Sequence, residues 1–284
     1  MTHTAASRGT SMPLITIDET KCRKDGICIA ECPVAIIERG PGDFPRPTAD
    51  AEELCISCGH CVAVCPHEAL AHRDCSPGEC APVRKELAIG AEQAAQFLTG
   101  RRSIRSYRDR PVGRELAEQL IATARYAPTG HNVQQVRWVV FLDRQELARL
   151  SGMVIDWMRY MMKEMPAVLA GLHPERVVER HEQGLDVICR GAPAVILAYG
   201  PKSDFNARTS CVIAMTHLEL AASALGLGAC WAGYFNAAAT YWPPMVKAIG
   251  LPENHEPYGS LMIGYPKYAY HRVPKRKEPD IAWR

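Results

Sequence analysis

Cys55-Ile-Ser-Cys58-Gly-His-Cys61-Val-Ala-Val-Cys65-Pro66 sets four thiols at the spacing C-x2-C-x2-C-x3-C-P. Thiolates are soft donors, and three at steps of three residues wrap one face of an iron–sulfur cubane. Pro66 ends the wrap and leaves Cys65 to turn elsewhere. A second run, Cys22-Arg-Lys-Asp25-Gly-Ile-Cys28-Ile-Ala-Glu-Cys32-Pro33, keeps the spacing but has Asp25 where the second thiol would stand. Cys22 to Cys55 and Cys32 to Cys65 are both 33 residues apart, so the runs form an internal repeat and a pseudo-twofold module. Asp25 has two readings. As a ligand it is a hard carboxylate that holds iron more loosely than thiolate. As the first half of an Asp-Gly pair it is a turn residue.

Twelve cysteines in 284 residues raise two rival chemistries. Disulfides suit short secreted chains, whereas here no apolar leader is visible and seven cysteines fall in cluster spacing. Zinc needs neither a third cysteine at the same step nor a terminal Cys-Pro. Iron–sulfur is favoured over both, in a reducing cytoplasm. The 33 basic against 31 acidic residues give a net charge of +2, so no nucleic-acid partner is expected. No apolar run approaches the roughly 20 residues of a membrane span, so no membrane association is expected.

The tandem runs resemble a two-cluster bacterial ferredoxin. The resemblance implies that each run's last cysteine ligates the other run's cluster. One cluster then takes Cys55, Cys58, Cys61 and Cys32. The other takes Cys22, Cys28 and Cys65, with Asp25 as candidate fourth ligand, in a [4Fe-4S] or a [3Fe-4S] form. His60, His67 and His72 lie near these runs and are read as surface residues ahead of tuning groups. Cys75 and Cys80 are read as linker residues ahead of spare ligands.

The module that positions these thiols is drawn at 13–82. Residues 1–12 are a small, polar lead-in. Leu14–Ile17 alternates as a short strand. Residues 40–50 and 74–82 are turn-rich connections. Beyond them, helical and strand patterns alternate. Ala91–Leu98 reads as a helix stopped by Gly100, and Val112–Tyr126 as a helix ended by Pro128. Val136–Leu142 reads as a strand, and Arg144 to about Ala170 as a long Met-rich helix. Pro193–Tyr199 is an apolar strand fit for a covered sheet. Thr209–Leu225 reads as an apolar helix, and Ala229–Phe235 and Ser260–Tyr265 as strands. The fold class is α+β, with the second domain at 90–284. Cys189, Cys211 and Cys230 sit in apolar surroundings, as buried small residues do. Trp157, Tyr160, Met161 and Met162 fall at helical spacing and default to core.

Arg101-Arg102-Ser103-Ile104-Arg105-Ser106-Tyr107 could bind a dianionic phosphate, with Ile104 and Tyr107 as buried anchors. By composition alone it is a solvated basic turn. Ala127-Pro-Thr-Gly-His-Asn132-Val-Gln134 follows, then Leu225-Gly-Leu-Gly-Ala-Cys-Trp-Ala-Gly233, Ile263-Gly-Tyr-Pro266 and Pro274-Lys-Arg276-Lys. Five such segments in this order resemble the FMN-dependent nitroreductase family over about residues 95–280. Gln135-Val136 departs from the family's Pro-Trp, and Lys275 replaces a proline. The resemblance implies that Arg101, Arg102, Ser103 and Arg105 hold the FMN phosphate and ribityl chain, joined by Arg276. Asn132 and Gln134 would meet the pyrimidine side, and Cys230, Trp231 and Gly233 would line the flavin. It also implies a homodimer with the flavin at the subunit interface, an assembly that the few charges on Thr209–Leu225 would suit. His131 is as readily a solvent-facing turn residue as a proton donor.

Gly226-Leu-Gly228 lacks the third glycine and the strand–helix setting of a dinucleotide site. The expectation is therefore an oxidoreductase linked to ferredoxin or flavodoxin rather than to NAD(P)H. Electrons would pass through two clusters to FMN and on to a nitro compound, quinone or activated alkene. The alternative is a non-catalytic electron carrier or redox sensor that donates to a protein partner.

Overall fold

The computed structural model describes residues 12–169 and 171–284. The lead-in at 1–11 and Ala170 lie outside the described residues. The chain divides into two compact units. The first runs to Ala88 and takes in His131–Val133; the second comprises Ile89–Gly130 and Gln134–Arg284.

The first unit holds two two-stranded antiparallel sheets. Its elements are β1 (Ile15–Ile17), α1 (Ile27–Ala30), β2 (Ile37–Arg39), β3 (Pro45–Pro47), α2 (Ala51–Leu54), α3 (His60–Ala63) and β4 (Leu70–His72). β1 pairs antiparallel with β4, and β2 with β3. The 40–50 stretch, read as a connection, thus contributes a strand. The turn at 41–43 returns it to β2, where Arg46 and Glu38 form a cross-strand ion pair. Among the described residues eight buried side chains make the core, Leu14, Ile36, Val62 and Leu70 among them. So small a core gives little stability alone, which is why modules of this size rely on metals or disulfides.

The second unit contains α4 (Ala91–Gly100), α5 (Arg114–Ala124), β5 (Arg137–Phe141), α6 (Arg144–Glu164), α7 (Pro174–Glu182), β6 (Ala194–Pro201), α8 (Ala207–Ala224), β7 (Gly228–Trp231), α9 (Gly233–Tyr241), α10 (Pro243–Ile249) and β8 (His255–Gly264). The sheet order is β5-β6-β8-β7, antiparallel throughout. Helices cover both faces, so the central strand is apolar on both. Ala194, Ile196 and Ala198 join the core beneath α5 and α8, while Val195 and Leu197 join the core beneath α6 and α9. Val195, Ile196 and Leu197 each contribute about 2 kcal/mol of transfer free energy. Among the described residues no helix is long and apolar enough to cross a membrane.

The sequence reading differs from the structure at further points, and the helix read from Arg144 to about Ala170 ends at Glu164. The strand expected at Ala229–Phe235 stops at Trp231, and the chain turns into α9, which carries Phe235 into the core. Short helices α7, α9 and α10 were not foreseen; α7 and α10 start at prolines, whose fixed φ suits a first turn. The few charges of α8 find their use inside the unit: Cys211, Ala214, Met215, Leu218 and Ala222 are buried against the sheet and α5. That helix therefore gives no separate argument for a subunit interface.

Candidate functional site

The repeat is built from matched backbone. Gly26 (φ 76) and Gly59 (φ 73) are the left-handed N-caps of α1 and α3. Lys24 and Ser57 share positive φ at the same offset, as do Ala35 and Glu68. Left-handed conformation is costly for a side chain with Cβ, so four such residues beside the two glycines, all in register, mark a backbone bent to a purpose. It folds each run's thiols inward.

Two hollows result. Cys32, Cys55, Cys58 and Cys61 line one, with Ile15, Ile37 and His72. Cys22, Asp25, Cys28 and Cys65 line the other, with Ile17, His67 and Leu70. The last cysteine of each run thus stands with the first three positions of the other run. Among the described residues no three His, Cys, Asp or Glu side chains gather closely enough for a single ion. A cubane makes a different demand: each ligand meets its own iron, so the ligands stand apart around a hollow.

Backbone amides point at the sulfurs. Ser57 N–H donates to Cys55 Sγ at 3.4 Å, and Ala69 N–H to Cys65 Sγ at 3.4 Å. Such bonds stabilise thiolate and tune a cluster's potential. Burial pushes the Cys61 thiol up to about 11. Burial also raises Cys28, assisted by Cys65 and Asp25. A metal that takes these thiols must therefore displace their protons.

Asp25 lines its hollow and also does turn work. Its Oδ1 accepts from Ile27 N–H at 3.1 Å, and its Oδ2 lies 3.8 Å from His67 Nε2. His72 corrects the surface reading given to the histidines. It is 5 % exposed, with Nε2 3.4 Å from Cys55 Sγ and Nδ1 accepting from Asp74 N–H at 3.0 Å. Cys75 and Cys80 are likewise no loose linker, since both pack against the first unit's core.

In the second unit the Arg101–Tyr107 segment is laid along β7 and the end of β8. Ile104 N–H donates to Ala229 O at 2.9 Å, Arg108 N–H to Tyr265 O at 2.8 Å, and Lys267 N–H to Ser106 O at 3.0 Å. Close approach explains two of the glycine motifs. A Cβ at Gly228 would collide with Ile104, and one at Gly264 would lie 2.7 Å from Tyr107 Cδ1. Gly226 (φ 72) ends α8 in left-handed conformation.

Arg101, Arg102, Arg108, Glu219, Tyr265 and Tyr268 are among the residues that line a hollow of about 790 Å³. Glu219, buried on α8, accepts from Arg101 at 2.8 Å. Sequence reasoning missed it, because a lone Glu on an apolar helix carries no motif. Arg102 donates to Thr99 O, yet its buried Nε has no partner among the described residues. Three guanidiniums against one carboxylate suit an anion.

The other residues singled out in this domain lie elsewhere. Arg105 is exposed and Ser103 half-buried, and neither lines the hollow. Asn132 groups with the first unit, where its Nδ2 donates to Ser57 O at 2.9 Å and Ile56 O at 3.3 Å. Gln134 is exposed at φ 52, its N–H donating to Thr129 Oγ1 at 3.0 Å. His131, Asn132 and Gln134 are all left-handed, the local form of the departure at Gln135-Val136. Cys230 is buried, Trp231 is 38 % exposed, and Gly233 and Arg276 are exposed.

The comparisons with known proteins fall along the same division. Residues 20–70 match the 4Fe-4S dicluster domain, and residues 98–265 match the nitroreductase family. An FMN reductase [NAD(P)H] of Bacillus subtilis is 27% identical over 196 residues, covering 66% of this chain and 72% of that protein. A protein of Archaeoglobus fulgidus named as an NADH dehydrogenase/NAD(P)H nitroreductase is 23% identical, covering 66% and 95%. The fold is that of a Bacteroides fragilis nitroreductase solved with bound FMN, at a TM-score of 0.54 and 19% identity over 67% of this chain and 97% of that one. The chain belongs to the nitroreductase family and carries an N-terminal 4Fe-4S dicluster domain.

Proposed function

We propose that this protein is an iron–sulfur flavoprotein oxidoreductase that takes electrons from a low-potential carrier, a reduced ferredoxin or flavodoxin, and delivers them to a small organic acceptor. Bound clusters supply single-electron transfer, and bound FMN converts single electrons into pairs. The observation that carries this reading is the pair of cysteine-lined hollows in a chain whose larger domain is of the nitroreductase family.

The residues divide the work. Cys32, Cys55, Cys58 and Cys61 hold one cluster, and Cys22, Cys28 and Cys65, with Asp25, hold the other. Arg101, Arg102, Ser103, Arg105 and Arg276 hold the flavin's phosphate end; the buried, partnerless Nε of Arg102 supports an anion there. Glu219 orients the Arg101 guanidinium. Asn132 and Gln134 take the pyrimidine side, and Cys230, Trp231 and Gly233 line the ring. The flavin residues are spread between the hollow and positions outside it, several of them exposed, which supports a homodimer whose second copy completes each site.

The relatives' names carry NAD(P)H as donor, the second reading for this chain. Anaerobic purification, with iron, sulfide and FMN counted per chain, tests the cofactors: about seven to eight iron and one FMN are expected. Stoichiometric zinc without sulfide, or no reconstitutable flavin, would refute the reading. Turnover of a nitroarene or quinone with reduced ferredoxin but not with NADH or NADPH supports the carrier donor; the reverse assigns NAD(P)H. A stable FMN-loaded monomer in light scattering would remove the dimer.

A further inference from the structure

Cys75 and Cys80 belong to neither cysteine-lined hollow. Their sulfurs lie 3.2 Å apart, and both are half-exposed. The segment between them is fixed. Ser76–Glu79 forms one 3-10 turn with Pro77 at its start, and Glu79 Oε2 accepts from Ser76 N–H at 2.8 Å and Ser76 Oγ at 2.6 Å. Cys80 N–H closes the turn onto Pro77 O at 3.2 Å. On the other side Cys75 exchanges both backbone hydrogen bonds with His72, at 2.9 and 3.0 Å. The sulfurs are therefore held together by two independent constraints, and an approach of about 1 Å reaches disulfide bonding distance.

We propose that Cys75 and Cys80 form a dithiol–disulfide couple whose state is felt at the cluster held by Cys55. A low-molecular-weight disulfide is the oxidant. The first cysteine to react attacks one of its sulfurs as thiolate and expels one small thiolate, giving a mixed disulfide. The second cysteine attacks the protein sulfur of that bond and expels the other small thiolate. Two protons from the protein thiols end on the two released thiols, and two electrons pass to the small disulfide. A dithiol reverses the step. The link to the cluster is His72, whose backbone pairs with Cys75 and whose ring nitrogen lies 3.4 Å from Cys55 Sγ. This second half rests on the cluster reading above; the first does not.

The test uses anaerobic holoprotein treated with oxidised glutathione, quenched in acid with N-ethylmaleimide and digested with trypsin. The peptide from Asp74 to Arg84 carries both thiols. It should be lighter by two hydrogens than the dithiol form and unlabelled, and dithiothreitol should restore double labelling. The Cys80→Ser protein should instead trap glutathione on Cys75. Double labelling of the wild-type peptide after oxidation, or glutathione adducts without ring closure, overturns the couple. So does a metal ion that protects both thiols from alkylation and oxidation. The paramagnetic resonance of one reduced cluster should differ between dithiol and disulfide forms, and not in Cys80→Ser. Identical wild-type spectra overturn the link to Cys55. Failure of the cluster reading shows separately as a protein without iron, in which the peptide result still stands.

Discussion

The two cysteine runs share a backbone and differ in their donors. Both bend through a left-handed glycine into one turn of helix, and each hollow has one cysteine sulfur that accepts a backbone amide, Cys55 in one and Cys65 in the other. In one hollow four thiols stand with a buried histidine against Cys55. In the other a carboxylate replaces one thiol, and its neighbouring histidine, His67, is exposed. With Asp25 as a ligand, as proposed, duplicated geometry with unequal donors should give two sites of unequal hold and unequal potential, because softness and solvent access act on the metal while the backbone does not.

The largest effect expected is common to both halves. Oxidative chelation of iron should unfold the first unit, whose core has eight buried side chains among the described residues, while the second keeps its sheet. Hydrogen exchange would show protection lost at β1 and β4 and retained at β6. Protection surviving at β1 would show that the small core suffices without metal.

The next effect should separate the halves. Mild chelation of the wild type should strip the Asp25 site first. Asp25→Cys should slow that loss by about tenfold or more, and Cys58→Asp should transfer the weakness to the other site. Iron release followed by paramagnetic resonance reads it. Spectra of Asp25→Asn identical to wild type would leave Asp25 as a turn residue only.

Smaller effects should be matched across the repeat. Gly26→Ala and Gly59→Ala each force Cβ into a left-handed residue, at about 1–2 kcal/mol apiece. The added carbons would meet flexible side chains, the Arg39 guanidinium (Nη2 at 3.0 Å, Cζ at 3.7 Å) at Gly26 and Cys75 Sγ at 3.7 Å at Gly59. Thermal melts of the two variants should therefore agree, and a large disparity would break the equivalence of the halves. The smallest effect expected is at His72. His72→Phe removes a contact of about 1 kcal/mol, which for one electron is a shift of about 40 mV in the potential of one cluster only. A redox titration in which both clusters shift together would contradict that placement.

Legibility in the sequence followed the range of the interactions. The cysteine runs could be read because their spacing is local and each residue type has one dominant chemistry. The apolar pattern of Pro193–Tyr199 marked the covered strand, because burial on both faces leaves no polar position. The strand assigned to Ala229–Phe235 overran into α9, since a short apolar stretch has no period that separates helix from strand. Asn132 and Gln134 were named by motif, but their left-handed turn depends on what surrounds it.

The sequence by itself determined the cluster chemistry, the 33-residue repeat, the odd carboxylate at Asp25 and the two-part organisation, because spacing along a chain survives without knowledge of the fold. Tertiary structure alone decided the rest. It set Glu219 against Arg101 across 118 residues, and it made Gly228 and Gly264 the places where Ile104 and Tyr107 come too close for a Cβ. It also put His72 on Cys55 and brought Cys75 to Cys80. Each of these depends on distances through space between groups whose separation along the chain carries no signal.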